Sequence, residues 1–313
     1  MSDFLTVNRL KKYFGVNGSV LKAVDDVSFS IASQKTFSLV GESGCGKTTC
    51  GRTVMGLYQP TEGEVIFDGQ NLAEQNRAQK KEFHKNAQMI FQDPYSCLDP
   101  RMNVEAILSE GRKIYYRESA QERKEVLKEL LHQVNLPESF LARFPHELSG
   151  GQRQRIGIAR ALALDPEFLV CDEPIAALDV SIQAQVINIL MKMQEERKLT
   201  YLFISHDLSV VRHISDEIGV MYLGVLVEKG SADEIFAHPL HPYTKALFSS
   251  VMHRAGSDDR IRLKGDLPSP LNAPKGCRFC TRCPYAADCT KKDEPQELKE
   301  YAPNHFAACG MIG

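Results

Sequence analysis

Gly41-Glu-Ser-Gly-Cys-Gly-Lys47-Thr48 has the spelling G-x-x-x-x-G-K-[ST], which suits phosphate. Its glycines let backbone N–H groups curl around phosphate oxygens. Lys47 reaches the β- and γ-phosphates, and the Thr48 hydroxyl ligates Mg²⁺. The candidate contact set is Gly41, Ser43, Gly44, Cys45, Gly46, Lys47, Thr48 and Thr49. A second place for chemistry is Asp172-Glu173, directly after the apolar run FLVC. Two carboxylates at the end of a buried strand are costly unless a cation sits nearby. Asp172 suits Mg²⁺ through water, and Glu173 suits a general base that takes a proton from attacking water. A third is Leu148-Ser-Gly-Gly-Gln152. Ser149 and Gln152 fit a capping box, so Ser149 starts a helix. Gly150 and Gly151 leave the first N–H groups uncovered, which makes a second anion site; a plain helix cap is the bland alternative. A fourth is a crowd of thiols, Cys277, Cys280, Cys283, Cys289 and Cys309. Such ligands suit structural Zn²⁺ or an iron–sulfur cluster. Five unligated thiols is the weaker alternative.

These groups need elements to hold them. TFSLV (36–40) reads as a buried strand running into the phosphate loop, with a helix-compatible stretch after it. FLVC (168–171) and YLFIS (201–205) read as further buried strands. EVLKELLHQVNL is amphipathic, with Val126, Leu130, Leu131 and Val134 at helical spacing. Residues 181–197 carry Ile182, Val186, Ile189 and Met193 on one stripe. Strands alternating with helices predict an α/β fold with a mainly parallel core sheet. An antiparallel part is expected at TEGEVIFDGQNL, with turns at Glu62-Gly63 and Asp68-Gly69, and at IGVMYLGVLVEK (218–229). From about residue 254 the texture changes to a polar linker, RAGSDDR, then Pro-rich LPSPLNAP and the cysteines.

The 313 residues set a prior of about two domains. A net charge of −2 argues against a dedicated nucleic-acid binder. The composition, 43% hydrophobic and 25% charged, excludes disordered and fibrous classes. No apolar run approaches the roughly 20 residues of a membrane helix, and the N-terminus lacks a signal-peptide pattern. A cytosolic chain that meets a membrane through partners is expected. That reducing compartment disfavours disulfides for the cysteine cluster.

Phosphate loop, LSGGQ and FLVCDE together resemble the ATPase subunit of an ATP-binding cassette transporter, over about residues 3–250. The resemblance implies an ABC-type P-loop ATPase with a helical subdomain at about 93–150 that docks the permease. It assigns Gln92 in IFQDP to Mg²⁺ and permease sensing, Asp179 in AALD to the D-loop, and His206 to the γ-phosphate. It makes Tyr13 in LKKYF the aromatic that stacks on adenine, with Phe14 as runner-up. It also implies that two such subunits sandwich two ATPs head to tail. The phosphate loop of one then faces Ser149, Gly150, Gly151 and Gln152 of the other.

FQDPYSCLDPRMNV, HPLHPYTKAL and the cysteine tail resemble the oligopeptide/dipeptide (and nickel) importer ATPases. Such complexes imply a sister ATPase, two permease subunits and an external solute-binding protein, with this chain at the cytoplasmic face of the membrane. The resemblance favours Cys277, Cys283, Cys289 and Cys309 around a [4Fe–4S] cluster, with Cys280 spare and zinc as the alternative. The expected domains are 1–253, the ATPase, and 254–313, a tail distant from the phosphate loop. Import of peptides is the expected function; nickel or another small solute, and a cassette ATPase without transport, are the alternatives.

Overall fold

The computed structural model describes residues 3–176, 178–252, 261, 263, 265 and 268–312. The polar linker 254–260 and the expected boundary at 253/254 lie outside the described residues. The chain opens with strands β1 (Asp3–Val16), β2 (Ser19–Ala32) and β3 (Thr36–Val40), then helix α1 (Lys47–Val54). β4 (Glu62–Phe67), β5 (Gln70–Asn71), α2 (Arg77–Asn86) and β6 (Ala87–Ile90) follow. Next come α3 (Val104–Tyr115), α4 (Ala120–Gln133), α5 (Gly150–Leu162), β7 (Phe168–Asp172), α6 (Val180–Arg197) and β8 (Thr200–Ser205). The chain ends with α7 (Leu208–Ile214), β9 (Glu217–Tyr222), β10 (Val225–Ser231), α8 (Ala232–Ala237), α9 (Pro242–Met252), β11 (Lys299–Ala302) and β12 (His305–Ala307). It divides into two compact units.

The first unit holds Met1–Ala32, Thr36–Ala73 and Ile204–Gly313. One sheet is antiparallel, in the order β2-β1-β4-β5. A second run of strands is ordered β11-β12-β10-β9-β3, in which β3 and β9 pair in parallel and the other neighbours are antiparallel. All five residues of β3 are buried, which suits a strand covered on both faces. Phe29 of β2 and Phe37 of β3 stack at 4.6 Å and tie the two sheets together. The β1–β2 hairpin turns on Asn17-Gly18, both at positive φ, the type I′ pattern that Asn-Gly favours. The Asp68-Gly69 turn forms as expected, also with both φ positive. Glu62-Gly63 does not turn: these residues begin β4, and Glu62 pairs with Lys11 of β1.

The second unit holds Ser33–Lys35 and Glu74–Phe203. Its strands run β8-β7-β6, with β6 and β7 parallel. α4 starts at a Ser119 capping box and buries Leu127, Leu130 and Leu131. Val126 is only half-buried, because the buried stripe of the helix passes through Leu127. α6 buries Val186, Ile187, Ile189, Leu190 and Met193.

The C-terminal segment belongs to the first unit. β12 pairs with β10 at Glu228–Ala307 and Lys229–Phe306. Between residues 277 and 288 the backbone folds through successive tight turns, such as Cys280 N–H to Cys277 O and Arg282 N–H to Phe279 O. Phe279 is 1% exposed, and its ring packs on Tyr222, Tyr243 and His241 at 5.3–5.6 Å. The tail is therefore not distant from the phosphate loop: it shares a core with the strands that carry the loop.

Candidate nucleotide site

The phosphate loop leaves the buried end of β3 and enters α1, as its spelling requires. Gly46 is the N-cap of α1 at φ 110°, with no side-chain cap. A Cβ there would run into the Ala23 carbonyl oxygen, and one at Gly41 into the Met221 carbonyl oxygen. These glycines permit a close backbone approach as well as an unusual φ. Lys47 Nζ donates to Gly41 O at 2.8 Å and Glu42 O at 3.1 Å, within the loop. Ser43 and Gly44 are exposed, while Gly46, Thr48 and Thr49 are partly buried. Cys45 turns its thiol inward, 1% exposed and 3.7 Å from Lys47 Nζ. Burial pushes that thiol above its usual range, so Cys45 offers the loop its backbone.

Three further residues shape this loop, and sequence reasoning missed them. Tyr243 Oη accepts from Glu42 N–H at 2.9 Å. Arg282 donates to both Glu42 carboxylate oxygens, at 2.6 and 3.1 Å. Gly224 N–H, in the β9–β10 turn, donates to Cys45 O at 2.9 Å. The HPY element signalled Tyr243 only as part of a resemblance; its partners come from far along the chain.

Tyr13 is part-buried in β1, and its hydroxyl donates to Asp25. Lys22 Nζ stands 5.2 Å from the Tyr13 ring centre. Asp25 N–H donates to Gly224 O at 2.7 Å, on the same turn that reaches Cys45. Phe14 instead packs edge-on against Tyr58 at 5.5 Å. His206 is exposed after β8, ahead of the Asp207 cap of α7.

In the second unit, Asp172 is fully buried at the end of β7. Glu173 follows at φ 45°, a left-handed backbone for a non-glycine residue, the kind of local strain that collects at functional sites. Gln92 Nε2 donates to Glu173 Oε2 at 2.9 Å, so the chain brings these two residues together across 81 positions. Ser149 caps α5 as its spelling predicts. Its Oγ accepts from Gln152 N–H at 3.3 Å, and Gln152 Oε1 accepts from Ser149 N–H at 3.0 Å. A Cβ at Gly150 would meet only Leu178 Cδ2, at an ordinary 3.9 Å, but one at Gly151 would sit 2.5 Å from Ile182 Cγ2 of α6. Gly151 thus serves helix packing as well as an uncovered N–H. Asp179 is the N-cap residue of α6.

All five tail cysteines line one cavity of about 20 Å³, together with His241 and Phe279. Burial pushes the Cys277 thiol up to about 11, and the thiols of Cys280, Cys283 and Cys309 push the same way. Among the described residues, no group of three or more His, Cys, Asp or Glu is spaced to hold a metal ion as it stands.

A phosphate loop between a buried strand and a helix, an Asp-Glu pair at the end of another buried strand, and a capped LSGGQ helix define an ATP-binding cassette. Comparison with known proteins carries this further. The ABC transporter family pattern matches residues 24–176, and that of the oligopeptide/dipeptide transporter C-terminal region matches 227–289. The chain is 53% identical to the oligopeptide transport ATP-binding protein AppF of Bacillus subtilis (strain 168), over 98% of this chain and 97% of that protein. It is 48% identical to OppF of the same organism, over 97% and 95%. The dimeric, post-hydrolysis ATP-binding cassette MJ0796 with ADP and Pi aligns at TM-score 0.66 and 28% identity, over 73% of this chain and 98% of that one. The chain belongs to the ATP-binding cassette ATPases of the oligopeptide/dipeptide transporter family, and its activity is ATP hydrolysis.

Proposed function

We propose that this ATPase energises import of di- or oligopeptides through a membrane permease, as a head-to-tail dimer with a sister ATPase. The observation that carries the peptide reading is 53% and 48% identity to AppF and OppF over nearly their whole lengths, each named for oligopeptide transport. The partners are two permease subunits and an external solute-binding protein. The chain sits peripherally at the cytoplasmic face; among the described residues no helix is long and apolar enough to cross a membrane.

Lys47 and the loop amides hold the β- and γ-phosphates, and Tyr13 stacks on adenine. Its side of the β1–β2 hairpin, tied through Asp25 and Gly224 to the phosphate loop, supports Tyr13 over Phe14. In this reading Thr48, Gln92 and Asp172 would hold Mg²⁺, which when bound would supply positive charge against the phosphate oxygens. Glu173 accepts a proton from the water that attacks the γ-phosphorus, while the bond to the ADP oxygen breaks. The Gln92–Glu173 hydrogen bond supports this role, since it links the permease-sensing residue to the base. His206 steadies the γ-phosphate. Ser149, Gly150, Gly151, Gln152 and Asp179 serve the sister chain's nucleotide. Glu173→Gln keeps ATP binding and loses turnover by about 10²–10⁴-fold; near-normal hydrolysis in the assembled complex removes Glu173 from this role. Ser149→Arg leaves ATP affinity of the isolated chain intact and stops hydrolysis at the composite site. A large loss of affinity in the isolated chain contradicts that site.

On the family resemblance, Cys277, Cys283, Cys289 and Cys309 would hold a soft metal centre, a [4Fe–4S] cluster in this reading, and would have to draw closer to do so, since as they stand they are not spaced for a metal ion. Their convergence on one cavity supports a shared ligand. The small volume of that cavity, enough for about one water or ion, favours zinc as the second reading. Anaerobic purification followed by iron, sulfide and zinc analysis separates the two.

A further inference from the structure

The loop between Cys277 and Cys283 sends two arginines into the nucleotide region. Arg282 grips Glu42, inside the phosphate loop, through both carboxylate oxygens. The Arg282 side chain is 9% exposed and that of Glu42 29%, so the pair is poorly screened by water, unlike an ordinary surface ion pair. A bidentate guanidinium–carboxylate pair fixes direction as well as distance. With Tyr243 holding Glu42 N–H, residue 42 is clamped at main chain and side chain. Its carbonyl oxygen also accepts from Lys47 Nζ, so the clamp reaches the lysine that meets phosphate.

Arg278, four residues earlier, donates to Leu223 O at 2.8 Å and pairs with Asp25. Asp25 also accepts from the Tyr13 hydroxyl. Between the two arginines, Phe279 anchors the loop in the core. One short segment therefore touches the supports of both ends of the nucleotide region.

We propose that Arg282 and Arg278 are positioning residues for ATP: Arg282 sets the phosphate loop through Glu42, and Arg278 sets the adenine platform through Asp25 and Tyr13. This rests on the nucleotide site assigned above. Both arginines act through other residues, Arg282 through Glu42 and Arg278 through Asp25 and Leu223. The loop carrying them is held by cysteine turns, so the tail contributes to ATP affinity.

The test measures equilibrium binding of a fluorescent ATP analogue to the full chain, with competition by ATP and by inorganic tripolyphosphate. Arg282→Ala weakens both competitors about fivefold. Glu42→Gln does the same, and the double variant is no worse than either single one, because both remove one interaction. Arg282→Lys recovers part of the loss. Arg278→Ala weakens ATP but leaves tripolyphosphate unchanged. Arg112→Ala is the structural control: it breaks the similarly buried Arg112–Glu118 pair, lowering Tm with no change in nucleotide affinity. Lys47→Ala tests the site itself. Unchanged affinity in Arg282→Ala and Glu42→Gln, with loss in Lys47→Ala, overturns the proposal and leaves the site standing. Equal loss of affinity in Arg112→Ala overturns it too, since stability alone would then explain the effect. Unchanged affinity in Lys47→Ala overturns the site and the proposal together.

Discussion

Two glycine-rich helix starts in this chain are built by opposite means. At Gly46-Lys47 the helix has no side-chain cap, and the loop ahead of it is shaped by Tyr243, Gly224 and Arg282. At Ser149-Gly150 the helix caps itself within three residues through the Ser149–Gln152 box. The first geometry is imposed by distant chain; the second is written locally. The difference teaches where each site is vulnerable. The phosphate loop fails when remote packing fails, whereas the signature helix fails only when its own residues change.

The strongest way to break this contrast is Phe279→Ala. Removing a fully buried aromatic costs about 3–5 kcal/mol. Hydrogen exchange should then show lost protection in 36–54 but not in 150–162; equal loss in both erases the distinction. Gly46→Ala comes next. The left-handed backbone alone costs about 1–2 kcal/mol, and the Ala23 carbonyl blocks the new methyl. Nucleotide binding should fall at least tenfold, on the order of that cost, whereas Gly150→Ala, whose methyl would make only an ordinary contact with Leu178, should leave the fold unchanged. Titration calorimetry and thermal melts read the two. Gly151→Ala presses on Ile182 and should cost about 1–2 kcal/mol, with Ile182→Ala restoring stability; no rescue would mean the helices do not meet there. Ser149→Ala should be mildest, losing about 1 kcal/mol with its cap and no affinity at this chain's own phosphate loop. A denaturant melt paired with nucleotide titration checks both halves.

The same contrast explains what could be read from the residues alone. The phosphate loop, the Ser149 cap and the Asp172-Glu173 strand end were legible because their chemistry lies within a few consecutive positions. The Asn17-Gly18 hairpin is signalled just as locally, by the Asn-Gly pair that a type I′ turn favours. Glu42 could not be read: its partners Tyr243 and Arg282 lie 201 and 240 positions away, and no local pattern records such a closure. Gly151 looked like a device for uncovering an N–H because Ile182 lies on another helix. The tail read as separate because its composition changes abruptly, but Phe279 and β12 place it in the first unit's core.

The strand pairing has a consequence for biogenesis. β3, which ends at the phosphate loop, pairs in parallel with β9, and that run of strands continues through β10 and β12 to an edge at β11, Lys299–Ala302. A ribosome releases the chain from the N-terminus, and contacts this far apart in sequence form late and slowly. The phosphate loop is thus translated early, while the residues that shape it, Gly224, Tyr243 and Arg282, emerge far later. A nascent chain that has not yet reached Arg282 carries the phosphate-loop motif without the contacts that shape it in the folded protein.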